Sequence, residues 1–205
     1  MQATKTQYLR GIDLSHWNGS IDFHKVKESG VQIVMLKATE GINHVDRKLE
    51  ANYQSAKAVG LNVGFYHFFL PEDREHACKQ AGHFARTLSA MPADCRYALD
   101  VESNKKQLSY ELLSKLVLAF LEAFEDQTKQ SMMIYASHQW LEALSEAEQL
   151  LCRYPVWLAQ WSQKDQPSPL TAWQEWLGWQ HSSQGQVPGI WGAVDLNWFD
   201  QKVLD

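Results

Sequence analysis

Two acidic residues, Asp100 and Glu102, follow a short apolar run and are separated by one residue. In a β-strand, residues two positions apart point to the same side, and a rise of about 3.3 Å per residue places their Cβ atoms roughly 6.5–7 Å apart. Two carboxylates this close resist ionising together, so the pKa of one rises and that group holds a proton near neutral pH. The pair predicts an acid beside an anion, which is the division that glycosidic cleavage requires. A metal-binding or surface Asp-x-Glu is the alternative interpretation.

Other polar residues stand where further apolar runs end: Asp13, Lys37, Glu40, Tyr66, His67, Tyr135, Trp157, Gln160, Asp195 and Asn197. Active sites of parallel α/β barrels gather at the carboxyl ends of the strands, so we expect these residues to share one site with the acid pair. Each has a plainer interpretation. Asp13 and Asp195 could cap helices or bond to loops, and His67 and the tyrosines could belong to the core. The tryptophans suit either a sugar-stacking surface or core packing.

Eight short apolar segments are the candidate strands that would position these residues: 11–14, 31–36, 62–68, 96–102, 132–135, 156–159, 178–181 and 193–196. Apolar residues at three- and four-residue steps predict helices over 46–59, 74–88 and 109–126, the last with Ser109 as its N-cap. Alternation of strands and helices predicts parallel strands. After Tyr154 the intervals contain four prolines, so the last helices should be short or absent.

These elements predict an α/β fold, an irregular TIM-like β/α barrel with about eight strands and a reduced set of helices. We expect one domain over residues 1–205, with a flexible N-terminal segment over 1–8. The net charge of −5 argues against nucleic-acid binding. No run approaches the roughly 18 apolar residues of a membrane helix, so membrane insertion is not expected. The first ten residues lack the apolar stretch of a secretory signal, which leaves the localisation open.

Metal ligation and disulfide bonding have little support in the sequence. The eight histidines show no metal-binding spacing, and Cys78, Cys95 and Cys152 form no Cys-x-x-Cys motif. We therefore expect no cofactor, no metal and reduced thiols, although one disulfide with a free thiol stays possible.

Seven segments in register resemble glycoside hydrolase family 25, the Ch-type lysozymes or N-acetylmuramidases. They are residues 11–19 (GIDLSHWNG), 37–41 (KATEG), 64–68 (GFYHF), 99–102 (LDVE), 157–159 (WLA), 179–185 (WQHSSQG) and 194–197 (VDLN). Any one motif is weak, but seven in order are highly specific. Asn18, the pair Gln160–Trp161 and His181 depart from the common family pattern, which leaves fine substrate preference open.

The resemblance implies cleavage of the β-1,4 bond between N-acetylmuramic acid and N-acetylglucosamine in peptidoglycan. It implies that Glu102 is the general acid and Asp100 its anionic partner. The substrate-binding residues that it implies are Asp13, Asp195, Tyr66, Tyr135, Trp157, Gln180, Asn197 and Glu40. It favours a retaining mechanism in which the N-acetyl group of the substrate attacks. Inversion stays open, because the spacing of Asp100 and Glu102 along the strand does not distinguish the two mechanisms.

Two other functions stay open from the sequence. One is a non-catalytic peptidoglycan-binding barrel, which intact Asp100 and Glu102 disfavour. The other is a metal-dependent hydrolase with Asp13, His67, Asp100 and Glu102 as ligands. With the lysozyme interpretation, the expected partner is the glycan strand of bacterial peptidoglycan. The protein would then act as a monomer, in the periplasm or outside the cell.

Overall fold

The computed structural model describes residues 8–162 and 164–204. Apart from Tyr8, the segment predicted to be flexible lies outside the described residues. The strands are β1 Leu9–Leu14, β2 Ile33–Glu40, β3 His44–Val45, β4 Asn62–Phe68, β5 Tyr97–Asp100, β6 Met132–Ser137, β7 Val156–Ala159, β8 Gly178–Gly185 and β9 Val194–Phe199. The α-helices are α1 Phe23–Glu28, α2 Leu49–Ala58, α3 Arg74–Thr87, α4 Tyr110–Thr128 and α5 His138–Ala147. Each of the eight predicted segments overlaps one of these strands.

The strands form a closed barrel in the order β1-β9-β8-β7-β6-β5-β4-β2, and pairing of β1 with β2 closes it. The short strand β3 extends this nine-stranded sheet as an antiparallel partner of β2, so eight strands make the barrel wall. No helix lies between β7 and β8 or between β8 and β9 in the described chain. The predicted irregular TIM-like barrel with few helices is therefore confirmed.

The prediction that the strands are parallel is wrong for β9, which runs antiparallel to both β1 and β8. The reason is the connection, because residues 186–193 are too few to carry the chain back across the barrel. A parallel crossover needs about a dozen residues or more, whereas a hairpin does not. The reversal brings the beginning of β9, rather than its end, to the carboxyl ends of the other strands.

The helix α4 shows how local sequence sets the outer layer. The hydroxyl of Ser109 accepts a hydrogen bond from the backbone N–H of Leu112 at 3.3 Å, as expected of an N-cap. Leu113, Phe120 and Phe124 lie on its buried face against the barrel. The helix continues to Thr128, two residues beyond the predicted end. No described helix is both long enough and apolar enough to cross a membrane.

Two apolar layers hold the barrel together. Along β2, Ile33 and Met35 pack inside the barrel, whereas Val34 and Leu36 pack outward beneath the helices. Gly178 lies where a Cβ atom would stand 2.6 Å from Phe199, so its missing side chain gives the large interior rings their room. The inner side chains fill the barrel below the carboxyl ends of the strands, which leaves one end open as a cleft.

The three cysteines all lie within the described residues, and each is a free thiol. Cys95 is buried, and Cys78 and Cys152 are partly buried. Burial raises the pKa of the Cys95 thiol to about 12, so this group stays protonated.

Candidate active site

The chain stays extended past the end of β5, which is shorter than the predicted 96–102. The backbone N–H of Phe69 donates to the carbonyl of Asp100 at 3.0 Å, and that of Val101 donates to the carbonyl of Tyr135 at 2.8 Å. Val101 is buried in the outer core, so its neighbours on either side face the other way. Asp100 and Glu102 therefore both line a cleft at the open end of the barrel.

This cleft, here called the acidic cleft, has a volume of about 210 Å³. Its lining residues come from most strands of the barrel: Asp13, Ser15, Trp17, Lys37, Tyr66, Phe68, Asp100, Glu102, Tyr135, Trp157, Gln180 and Asp195. The sequence analysis assigned a catalytic or substrate-binding role to ten residues, and eight of the ten line this cleft. Asp195 reaches the cleft because β9 is reversed, and it stands opposite Asp13 in the strand register.

The other two selected residues lie elsewhere. Asn197 is 2% exposed and lies behind Asp13 instead of lining the cleft, so its contacts are with the protein. Glu40 lines a larger neighbouring cleft, and one of its oxygens accepts a hydrogen bond from Lys37 Nζ at 2.7 Å. Glu40 therefore belongs to the border between the two clefts.

His67 is a core histidine, which was the plainer of its two interpretations. It is fully buried, and its ring nitrogens bond to Thr39 at 2.7 Å and to Gln80 at 3.0 Å. Burial lowers the pKa of His67 to about 3, so the ring is neutral. Within the described residues, no group of three or more His, Cys, Asp and Glu could hold a metal ion.

A chain of hydrogen bonds fixes the carboxyl group of Asp13. Asn197 Nδ2 donates to Asp13 Oδ2 at 2.8 Å, and Gln180 Nε2 donates to the same oxygen at 3.1 Å. Trp157 Nε1 in turn donates to Asn197 Oδ1 at 2.8 Å, and the Tyr135 hydroxyl donates to Gln180 Oε1 at 3.1 Å. Because each amide is held at both ends, the orientation of Asp13 is set by the barrel interior.

Burial raises the pKa of every carboxyl group in the acidic cleft, and neighbouring carboxylates raise the pKa values of Asp13, Asp100 and Glu102 further. Burial raises the pKa of Asp100 well above its usual value, and the charges of Glu102 and Asp13 raise it further. Glu102 is exposed toward the opening, and partial burial followed by the charge of Asp195 raises its pKa. The Lys37 ammonium opposes both shifts. The site therefore retains protons at a pH where free carboxyl groups have lost them.

Asp100 has an unusual environment even within this cluster. Its side chain is 5% exposed, and its Oδ1 atom has no hydrogen-bond partner among the described residues. A buried acceptor without a donor is costly, so this oxygen is a place where a ligand donor would bind well.

Four lining residues were not assigned a catalytic or substrate-binding role from the sequence: Ser15, Trp17, Lys37 and Phe68. Trp17 lies on a short 3-10 turn, His16–Asn18, and is 82% exposed between the two clefts. A tryptophan inside a polar turn is the signal that could have found it. Lys37 was expected at the site as a strand-end residue, and it lines the cleft, although the sequence analysis gave it no particular role.

A closed β/α barrel with two carboxyl groups of raised pKa, Asp100 and Glu102, in a cleft at the carboxyl ends of its strands defines the class, a barrel glycoside hydrolase. The model of the family named Glycosyl hydrolases family 25 matches residues 12–190, and the chain belongs to this family.

Similar proteins carry lysozyme names. The chain is 33% identical to the autolytic lysozyme of Clostridium acetobutylicum, over 96% of this chain and 57% of that protein. It is 31% identical to lysozyme M1 of Streptomyces globisporus, over 95% of this chain and 69% of that protein. The crystal structure of the bacterial lysozyme from Streptomyces coelicolor is similar with a TM-score of 0.83 and 29% identity, covering 96% of this chain and 95% of that one. The chain thus spans little more than half the length of the Clostridium relative.

Proposed function

We propose that this protein is a muramidase that hydrolyses the β-1,4 bond between N-acetylmuramic acid and N-acetylglucosamine in peptidoglycan. The observation that carries the proposal is the pair Asp100 and Glu102, which share one cleft with raised pKa values. Family membership and the lysozyme names of the relatives support the choice of substrate. A single catalytic domain over residues 1–205, acting as a monomer at the cell wall, is part of the proposal.

In this function Glu102 is the general acid that protonates the leaving oxygen. It is the member of the pair that is exposed to the cleft, so a glycosidic oxygen can reach it. Its raised pKa keeps it protonated at a pH where an ordinary glutamate has ionised.

Asp100 is the partner that steadies the substrate. Its Oδ1 atom lacks a donor, and the N–H of a substrate acetamido group would supply one. That hydrogen bond favours the ionised form of Asp100 and so lowers its pKa, which leaves the retained proton with Glu102. The acetamido oxygen is then held for attack on the anomeric carbon, which gives retention of configuration.

The remaining residues bind the sugar or position those that do. Tyr66 and Trp157 contact each other edge to face with ring centroids 6.4 Å apart and form an aromatic wall of the cleft. Asp13 and Asp195 accept sugar hydroxyl groups, with Tyr135 and Gln180 beside them. Asn197 positions the carboxyl group of Asp13 by donating a hydrogen bond to it, and Glu40 binds the substrate at the border between the two clefts.

The test is digestion of purified peptidoglycan, followed by mass spectrometry of the released fragments. We expect fragments with N-acetylmuramic acid at the reducing end, and we expect Glu102→Gln to lower kcat by a factor on the order of 10²–10⁴. Glu111→Gln is the matched control, because Glu111 lies on α4 outside the cleft, paired with Lys115.

Two outcomes would overturn the proposal. Intact glycan bound tightly by the folded wild-type protein would favour a binding barrel. Activity lost on treatment with a chelator and restored by a metal ion would favour the metal-dependent hydrolase.

A further inference from the structure

The larger cleft, here called the second cleft, has a volume of about 650 Å³ and lies beside the acidic cleft. Three features join them. Trp17 lines both clefts, and Ser103 in the second cleft directly follows Glu102 in the acidic one. The ion pair between Lys37 and Glu40 spans the border, with one partner lining each cleft. A ligand bound in the acidic cleft can therefore extend into the second without leaving the protein surface.

The charges of the second cleft differ from those of the acidic cleft. Its two carboxylates already have partners, since Glu40 pairs with Lys37 at 2.7 Å and Glu72 pairs with Lys106 at 2.9 Å. Lys105 is exposed and has no ion pair or hydrogen bond with any residue in the described ranges. This cleft therefore presents an unpaired cation, where the acidic cleft presents four carboxyl groups against one lysine.

A histidine adds a fixed donor to the same wall. Gln80 Oε1 accepts from the backbone N–H of Leu70 at 3.0 Å, and Gln80 Nε2 donates to the carbonyl of Leu70 at 2.8 Å, which fixes the orientation of this amide. The same Nε2 lies 3.0 Å from His76 Nδ1, so Nδ1 is the acceptor and the N–H of His76 is on Nε2. His76 lines the second cleft, and its Nε2 donor lies beside Lys106, 3.8 Å from the Glu72 carboxylate that pairs with this lysine.

Besides the polar side chains of His16, Asn43 and His44, the rest of the lining is mainly apolar. Ile42 is 43% exposed, and Leu70 and Pro71 complete the apolar part of the wall. The cleft thus combines cationic donors with an apolar surface in a volume of about 650 Å³. A glycan strand that carries its peptides has no charge of its own, because the lactyl carboxyl groups of its muramic acid residues are in amide bonds. A short peptide with carboxylates and small apolar side chains would instead use both features.

We propose that the second cleft binds the acidic peptide that peptidoglycan carries on its muramic acid, with Lys105, Lys106 and His76 as the carboxylate-binding groups. This inference rests on the proposed function, because the sugar that carries the peptide occupies the acidic cleft. It makes the second cleft the part of the protein that distinguishes peptide-bearing glycan from bare glycan.

The test compares soluble glycan oligomers of one length that carry their peptides with the same oligomers after enzymatic removal of the peptides and conversion of the lactyl carboxyl groups that this frees into amides. For the wild type, kcat/KM should be higher on the peptide-bearing oligomer. Lys105→Ala/Lys106→Ala should lower that value by about tenfold, the effect of one lost charge-assisted hydrogen bond, chiefly through KM. It should leave cleavage of the bare oligomer unchanged.

Two controls isolate the charge. Lys79→Ala/Lys115→Ala removes two exposed lysines that line neither cleft, and it should leave kcat/KM unchanged on both oligomers. Lys105→Ala alone keeps the ion pair of Glu72 intact, and it should give part of the loss. Oligomers whose peptide carboxylates have been converted to amides should behave as bare glycan with the wild type.

The outcomes separate the two proposals. Failure of the wild type to cleave either oligomer would overturn the muramidase function itself. Equal cleavage of both oligomers, with no effect of the double substitution, would overturn only the peptide-binding inference. A loss confined to wall fragments that carry phosphate polymers would also overturn it, since the second cleft would then bind phosphate.

Discussion

Asp13 on β1 and Asp195 on β9 are direct partners across an antiparallel strand pair, and both side chains line the acidic cleft. Two carboxyl groups at facing positions resist ionising together, so one of them retains a proton. Burial is the largest cause that raises the pKa of Asp13, and Asp195 is the next. Because the folded pKa is raised, the stability that this proton confers is present below the unfolded pKa and is lost as the pH rises through the folded pKa.

Replacing Asp195 with asparagine should therefore stabilise the protein near neutral pH. The amide can donate to Asp13 without a bound proton, and the repulsion between two carboxylates disappears. We expect the unfolding temperature at pH 7 to rise by about 2–4 °C, which is roughly 1 kcal/mol for a domain of this size. The gain should shrink as the pH falls toward 4, where the wild-type pair is protonated.

Calorimetric or circular-dichroism melts of both proteins at several pH values would measure this effect. Asp126→Asn, on the exposed side of α4, is the control and should give no pH-dependent difference. A gain for Asp195→Asn that is the same at every pH would show that the pair holds no proton in the folded protein.

The pH dependence of cleavage should respond to the charges around the acid pair. We expect an optimum on the acidic side of neutral, because activity falls as the pH rises through the raised pKa of Glu102 and its proton is lost. Lys37 lowers the pKa of Glu102 and Asp195 raises it. Lys37→Met should therefore move the alkaline limb to higher pH, and Asp195→Asn should move it to lower pH.

Values of kcat/KM on a soluble glycan oligomer across the pH range would report both shifts, with Lys115→Ala as a control for an exposed charge outside the cleft. If Lys37→Met and Asp195→Asn moved the alkaline limb in the same direction, Glu102 would not be the group whose proton limits the rate.

The barrel was predictable because its strands are short apolar runs with few competing interpretations. The segments 62–68 and 156–159 coincide with β4 and β7, since buried strands flanked by helix ends and prolines have sharp limits in sequence. The grouping of Asp100 with Asp13 followed from the general position of sites in such barrels. Hydrophobic pattern and strand order were enough for these features.

The direction of β9 was not predictable from the hydrophobic pattern, because the alternation of apolar and polar residues is the same whichever way a strand runs. Asp195 was selected as the end of a parallel strand, and it reaches the cleft near the start of a reversed one. Asn197, which was selected beside it, is held inside the barrel by Asp13 and Trp157. The helices α1 and α5 were missed because one has six residues and the other follows β6 directly, with the N-cap Ser137 inside the strand.

Adding a methyl group at two glycines should have opposite effects. At Gly178 the new Cβ would stand 2.7 Å from Trp157 and 2.6 Å from Phe199, so Gly178→Ala should destabilise the protein by about 1–3 kcal/mol. Activity should also fall, because Trp157 lines the acidic cleft. Gly82 lies within α3, and its nearest neighbour is the flexible end of Arg86 at 3.0 Å. Gly82→Ala should stabilise by about 0.5–1 kcal/mol with activity unchanged.

Denaturant unfolding of the two variants beside the wild type would measure these free energies, and a glycan assay would give the activities. Equal effects at the two positions would contradict the close packing of Trp157 and Phe199 around Gly178.

The product of cleavage should keep the β configuration, because the substrate acetamido group attacks from the face opposite the leaving oxygen and water then replaces it. Proton NMR during the first minutes of digestion, before mutarotation, would show the anomer that forms.

The same mechanism predicts that an oligomer without N-acetyl groups on its muramic acid residues is not cleaved, although it still fits the cleft. It also predicts that Asp100→Asn, whose amide oxygen can still accept the acetamido N–H but carries no charge, lowers kcat more than it raises KM. An α product with wild-type protein would instead require Asp100 to activate a water molecule, which is the inverting alternative.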